Sequence, residues 1–388
     1  MSRKKQDREK LIAKEGDAER RKAGPAYLSG ADIFSTDEFN DAESLLSSLS
    51  KFRNDLPEEE KRLLGSQINQ SIYKYQKQRR WGKLGIAASI LLIVGFAATL
   101  QILQMSDFRV YVKNIAPVEK SASTRLFLSG EQEIVIDTEE SKIEYTQAGD
   151  QVKIDAVQAV DQQLTGKKMA FNTVVVPYGK RTMLLLSDSS RVWLNSGSRL
   201  VYPARFETAK REVYLEGEAV FEVSHNPAQP FHVITQNLEV KVLGTVFNLT
   251  AYTDEQTTQT VLESGSVELE FDGDEFWGKS QKVIEPGTLA VYDSQSKLME
   301  QKQVNTKSYT SWREGFLFVE HQPLKDILRK VARYYNADIQ IKEPDLGNET
   351  FSGYLDLRSS VDQVLEVVAE FMAIKVETNN EQIMISRI

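Results

Sequence analysis

The chain has 388 residues, with 48 Lys and Arg against 56 Asp and Glu for a net charge of −8, and no cysteine. The absence of cysteine excludes a disulfide framework and a thiolate metal site. The charge is divided: residues 1–83 hold 18 basic and 14 acidic residues (18 − 14 = +4), which leaves 30 and 42 (30 − 42 = −12) beyond residue 105, and an acidic large part of this kind argues against nucleic acid as its main ligand.

Residues 1–25 are dense in both signs of charge and nearly free of apolar side chains, the composition of a solvated arm. The stretch that follows places Phe39, Ala42, Leu45, Leu46, Leu49 and Phe52 at helical spacing, with Thr36 as a cap. A second helix is expected after Asp55 and Pro57, with Leu63, Leu64, Ile68, Ile72 and Tyr75 on one side. Two such helices are too few to bury both apolar faces. They either pack loosely on each other or await a partner.

From Leu84 to Met105 the chain runs 22 residues without a charge, and only Ser89, Thr99, Gln101 and Gln104 are polar. As a helix this run reaches about 33 Å, close to the ~30 Å hydrocarbon core of a bilayer, and it has no polar stripe of the kind a globular helix keeps. A single transmembrane helix over 84–105 is expected. Lys74, Lys77, Arg79, Arg80 and Lys83 precede it with no acid among them, and Trp81 suits the interface, so residues 1–83 are expected in the cytoplasm and the remainder outside.

Beyond the run the hydrophobic period changes from 3.6 to 2. Residues 106–172 contain short strand candidates (EIVIDT, KIEYTQ, QVKIDAV). Residues 173–293 read as an all-β unit of regularly spaced strands with Gly, Asn, Asp and Pro at the turns. After a linker over 294–313, residues 314–388 read strand–helix–strand twice. Val331-Ala332-Arg333-Tyr334 corresponds to Val368-Ala369-Glu370-Phe371, which predicts a small α+β domain of duplicated βαβ units.

Few residues suggest chemistry. GDEFWGKS, residues 273–280, has the spacing of a phosphate loop, but Asp274 and Glu275 would repel phosphate, Trp277 would crowd it, and Pro286 interrupts the helix that should follow. A turn between strands is expected there instead. His225 and His232 straddle Pro227 and Pro230, His321 lies far away, and no spacing resembles a zinc site or a serine-hydrolase elbow. No metal, cofactor or small-molecule enzymatic activity is expected. In VKVLGTVFNLTAY, Gly244 sits within a strand pattern, where glycine marks a bulge or a close backbone approach. The hydroxyl of the adjoining Thr245 is a nucleophile next to the Gly244 carbonyl, a pairing that can cleave its own chain.

The phrases VPYGKRTMLLLSDSSRVWLNSGSRLVYPARF, REVYLEGEAVFEVSHNPAQPFHV, VLGTVFNLTAY and VLESGSVELE resemble the FecR family of membrane anti-sigma factors. SWREGFLFVEHQPLKDILRKVARYYNADIQI is similar to the secretin/TonB short N-terminal domain that follows in the family's larger chains, and together the phrases span about 170–388. The resemblance implies a multi-domain membrane protein: cytoplasmic sigma-binding helices, one transmembrane helix, an elongated β-solenoid-like periplasmic domain and the duplicated βαβ domain. It also implies a relay in the inner membrane. The periplasmic signalling domain of a TonB-dependent outer-membrane receptor contacts the outer part, and an extracytoplasmic-function sigma factor is released. On that reading Leu45, Leu46, Leu49, Leu63, Leu64 and Ile68 form the sigma-binding surface or its support. Lys77, Arg79, Arg80, Trp81 and Lys83 set the orientation. Some family members cleave themselves at a Gly-Thr bond, which maps here to Gly244 and Thr245. Family members have Asp-Gly in the turn before VWLN, whereas this chain has Asp188-Ser189-Ser190, so a turn of another type is expected. The reading of another class is a structural or carbohydrate-binding envelope protein whose N-terminal arm only sets topology.

Overall fold

In the computed structural model the described residues are 107–114, 121–129, 132–162, 164, 170–273, 279–379 and 382–388, with scattered positions between 57 and 74. The chain divides into two compact units, Met1–Gln101 and Ile102–Ile388. In the first, the described positions from 58 to 74 are helical. Among the described residues no helix is long and apolar enough to cross a membrane. The expected span at 84–105, the helix over 36–52 and the charged arm lie outside them.

The second unit opens with a short helix, α1 (Asp107–Lys113), and continues into an 18-stranded sheet that ends at β18 (Leu298–Gln303). The strands expected within 106–172 are β2 (Gln132–Ile136), β3 (Glu140–Tyr145) and β4 (Gln151–Ile154). They belong to the same sheet as the later ones: β1 (Thr124–Leu128) pairs with β6 (Phe171–Val176), and β3 runs parallel to β7 (Arg181–Leu185). Alternating side chains explain why. Leu126, Leu128, Ile143, Val152, Val174, Leu184, Val213 and Phe247 all point from period-2 strands into one core.

The sheet curls because one strand serves both of its faces. β10 (Arg211–Glu222) pairs over Tyr214–Glu216 with β9 (Ser198–Pro203) and over Ala219–Glu222 with β8 (Arg191–Leu194). Between these halves Gly217 adopts φ +98°, and a Cβ there would lie 2.6 Å from the Ser198 backbone. Only glycine supplies both the left-handed backbone and the clearance. The phrase LEGEAVFEV is thus the corner of the fold.

After α2 (Lys307–Thr310) and a 3₁₀ turn (Ser311–Glu314), strand–helix–strand occurs twice: β19 (Phe316–Pro323), α3 (Leu324–Tyr335), β20 (Asp338–Ile341), then β21 (Thr350–Asp356), α4 (Val361–Met372), β22 (Ile374–Asn379), with β23 (Gln382–Arg387) last. The helices start 37 residues apart (361 − 324 = 37). Their pairing corrects the expectation of two βαβ units, because the strands flanking each helix lie in different sheets. β19 pairs antiparallel with β21, while β20 pairs parallel with β23, which pairs antiparallel with β22. The two copies exchange partners so that Leu324, Ile327, Leu328 and Val331 of α3 share one core with Val364, Leu365 and Val368 of α4. Neither copy alone has enough surface to bury its helix. Ser360 starts α4 with a reciprocal capping box to Gln363.

The GDEFWGKS stretch joins β15 (Val267–Phe271) to β16 (Ser280–Ile284), which pair as a hairpin with Phe271 opposite Ser280. A strand, not a helix, follows Lys279, and Lys279 pairs with Glu270 at 3.0 Å, so the context a phosphate loop needs is absent.

Candidate functional site

Residues from four separated phrases meet where the β domain adjoins the C-terminal domain. Glu218, just after the Gly217 corner, is buried, and its carboxylate accepts hydrogen bonds from Asn195 Nδ2 (2.8 Å), Asn248 Nδ2 (3.1 Å) and Thr250 Oγ1 (3.2 Å). Asn248 in turn accepts from Nε1 of the buried Trp312 at 3.4 Å. Asn195 belongs to VWLN, Asn248 to GTVFN and Trp312 to SWREG. A buried carboxylate that accepts three hydrogen bonds is stabilised by them and held in place. Val220 and Trp193 of the β domain pack into the core of the C-terminal domain beside Trp312.

Two arginines close the junction from opposite sides. Arg333 of α3 is buried; it donates to Glu255 Oε1 at 2.6 Å and to the Asp254 carboxylate at 3.0 Å, and its guanidinium lies 3.6 Å from the centroid of the Tyr252 ring. In return Arg181 of β7 places its guanidinium 3.7 Å from the centroid of the Tyr334 ring. Burial pushes the Tyr252 hydroxyl well above its usual range, so it stays neutral and donates to the Ser196 carbonyl at 2.9 Å. A cleft of about 710 Å³ opens beside this junction, with Glu218, Tyr252, His321 and Arg333 among its walls. The arrangement joins two domains into one body. Among the described residues no group of three or more His, Cys, Asp or Glu side chains has the geometry to hold a metal ion.

Elsewhere on the β domain, α1 is fastened to the sheet. Phe108 is buried with its ring edge-on to Phe171 (5.5 Å), and Tyr111 also touches that ring (4.8 Å). Arg109 bridges Glu212 (2.9 Å) and Glu239 (2.8 Å), and Glu239 is also held by His232 Nδ1 at 2.8 Å. Burial raises the Glu239 carboxyl, but the hydrogen bonds and charges of His232 and Arg109 outweigh it and bring the pKa down to about 2.

Gly244 lies in a bend between β12 (Leu238–Val242) and β13 (Val246–Ala251), not within a strand. Close approach explains the glycine: a Cβ at this position would sit 2.6 Å from both Cα and Nδ1 of His225. The buried Thr245 donates its hydroxyl to the Ser266 carbonyl at 3.0 Å, and the ladder with β14 (Thr257–Ser264) shifts register at Val246/Phe247. Leu63 is helical and 60% exposed. Leu45, Leu46, Leu49, Leu64, Ile68, Lys77, Arg79, Arg80, Trp81 and Lys83 lie outside the described residues.

Spacing alone did not point to the Glu218 network, the Arg333 contacts or the α1 anchor. The signal for the first was present, since Asn195, Glu218 and Asn248 each sit inside a quoted family phrase. The others depend on contacts between residues 60 or more positions apart (171 − 111 = 60 for the nearest).

The family model described as FecR protein matches residues 172–268, and the model described as FecR, C-terminal, matches 316–385. Two crystal structures named "putative anti-sigma factor" from Parabacteroides distasonis are similar to this chain. One, at 2.50 Å resolution, is 26% identical with a TM-score of 0.50. The other, at 1.65 Å, is 25% identical with a TM-score of 0.51. Each comparison covers 56% of this chain and 99% of the other. No curated protein matches it. The chain thus carries a segment similar to the FecR protein domain followed by one similar to the FecR C-terminal domain, and the Glu218–Asn248–Trp312 network lies where the two adjoin.

Proposed function

We propose that this chain is an anti-sigma factor that relays a signal across the inner membrane, from the periplasmic signalling domain of a TonB-dependent outer-membrane receptor to an extracytoplasmic-function sigma factor. The observation that carries this reading is the FecR domain followed by its C-terminal domain, in a fold shared with two structures named as anti-sigma factors. The apolar run at 84–105 and its basic N-terminal flank support a single span with residues 1–83 in the cytoplasm. The amphipathic stretches around Leu45, Leu46, Leu49, Leu63, Leu64 and Ile68 serve as the sigma-binding surface, and the C-terminal domain serves as the receptor-docking module. Because that domain and the β domain are locked at the Glu218–Trp312 network and α1 is fastened to the β domain, reorientation of the C-terminal domain reaches α1. Co-purification of the full-length chain with the extracytoplasmic-function sigma factors of its own cell tests the reading. Recovery of a stoichiometric complex is the expected outcome, and a chain that binds no sigma factor would overturn it.

The Gly244–Thr245 bond is a proposed self-cleavage site. The Thr245 hydroxyl attacks the Gly244 carbonyl, the amide C–N bond breaks as the nitrogen takes the hydroxyl proton, and water opens the resulting ester to leave a Gly244 carboxylate and a free Thr245 amine. The hydroxyl must first release the Ser266 carbonyl, and His225 packs against Gly244 on the other side. The halves would stay joined, since β12 pairs with β11 (Phe231–Ile234) and β15, and β13 with β10 and β14. Two bands on a denaturing gel, reduced to one by Thr245→Ala and retained by Thr245→Ser, are expected. A single full-length band from the unaltered chain would leave Gly244 as a packing glycine only.

A further inference from the structure

The duplicated helices of the C-terminal domain present the same positions to different surroundings. Aligned at the 37-residue offset, Ile327, Leu328 and Val331 of α3 correspond to Val364, Leu365 and Val368 of α4, and all six are buried. On the outer faces the chemistry inverts. Lys325, Arg329 and Arg333 of α3 become Asp362, Glu366 and Glu370 of α4, while Lys330 becomes Val367 and Tyr334 becomes Phe371.

Their environments invert as well. The Arg333–Tyr334 pair of α3 is covered by the β domain: Arg333 meets the carboxylates of Asp254 and Glu255, and Tyr334 receives the guanidinium of Arg181 on its ring. Tyr334 is 6% exposed. The Glu370–Phe371 pair of α4 is bare, with Phe371 76% exposed and Val367, one turn earlier, 39% exposed. Phe371 touches only the edge of Phe351 among described aromatic rings, with centroids 6.3 Å apart. No basic residue occupies the last turn of α4, whereas α3 has Arg333 there, so the negative end of the α4 dipole adds to its acidic rim.

We propose that the outer face of α4, centred on Phe371 with Val367 and rimmed by Glu366 and Glu370, is the docking surface for a cationic segment of the receptor's signalling domain. The partner presents an arginine or lysine to the Phe371 ring and the Glu370 carboxylate, the charge-reversed counterpart of the way the β domain covers α3. This rests on the reading that the C-terminal domain docks that receptor. A large exposed aromatic ring beside like charges forms the centre of a binding site once a complementary partner excludes water.

The test measures binding of the full-length chain, in detergent, to the purified signalling domains of the TonB-dependent receptors of its own cell. Phe371→Ala and Glu370→Arg are each expected to weaken binding tenfold or more while the melting temperature stays unchanged, because both side chains are exposed. Exchanging one partner arginine or lysine for glutamate is expected to restore binding to the Glu370→Arg chain. Unaltered affinity in both variants, with the original chain binding well, overturns the assignment of this face and leaves receptor docking standing. Failure of the original chain to bind overturns the docking reading and this inference with it.

Discussion

Ser189 sits in the left-handed region with φ +68°, in the turn where the resemblance leads one to expect glycine. The sequence suggested a turn of another type, yet the conformation that glycine favours is kept by a residue that resists it. The surroundings hold it there: Asp188 accepts from the Ser190 amide (3.0 Å), the Ser190 hydroxyl (2.7 Å) and the fully buried Arg211 (2.7 Å). Since a side chain in this region costs roughly 1 kcal/mol relative to glycine, Ser189→Gly should raise stability by about 0.5–1 kcal/mol in denaturant unfolding. Gly244 behaves oppositely. The backbone Cα of His225 cannot yield to a new Cβ 2.6 Å away, so Gly244→Ala should cost about 1–3 kcal/mol in the same measurement, the usual penalty of overpacking. That Gly244 was special was legible in the sequence; that His225 is the reason was not, because the two are 19 positions apart (244 − 225 = 19) and meet only through the curl of the sheet.

Helices α3 and α4 and most strands were legible because their apolar side chains recur at 3.6 or 2 residues. The pairing of the C-terminal strands was not, since periodicity reports which face is buried and says nothing about which strand lies alongside. The α1 anchor was likewise hidden: a seven-residue helix has too few turns to show a stripe, and its stability comes from Phe171, Glu212 and Glu239 far along the chain. Its ion cluster gives a pH dependence. The Glu239 pKa falls from 4.5 to about 2 on folding, so the stability it lends α1 is fully present above about pH 4.5 and is lost as pH falls towards 2. Hydrogen exchange of residues 107–113 should therefore accelerate across that window relative to the amides of β10. Glu239→Gln should remove most of that difference.

Across Ile102–Ile388, the β domain and the C-terminal domain are held as one body by a buried network, shared apolar packing and two arginine–tyrosine contacts. Trp312 is the centre of this junction, so Trp312→Ala should cost about 3–5 kcal/mol, as for other buried aromatic truncations, and should separate thermal unfolding into two transitions. The relay proposed above needs that rigidity, and on that proposal Leu46 and Leu49 belong to its sigma-contacting output. The most direct test is transcription from a promoter that depends on the sigma factor recovered with this chain, measured without inducing substrate in cells carrying the Leu46→Asp/Leu49→Asp double variant. Each leucine withdrawn from an apolar contact removes about 1.5–3 kcal/mol, so the account predicts constitutive transcription at normal protein level. Transcription held at the repressed level by the double variant would contradict it.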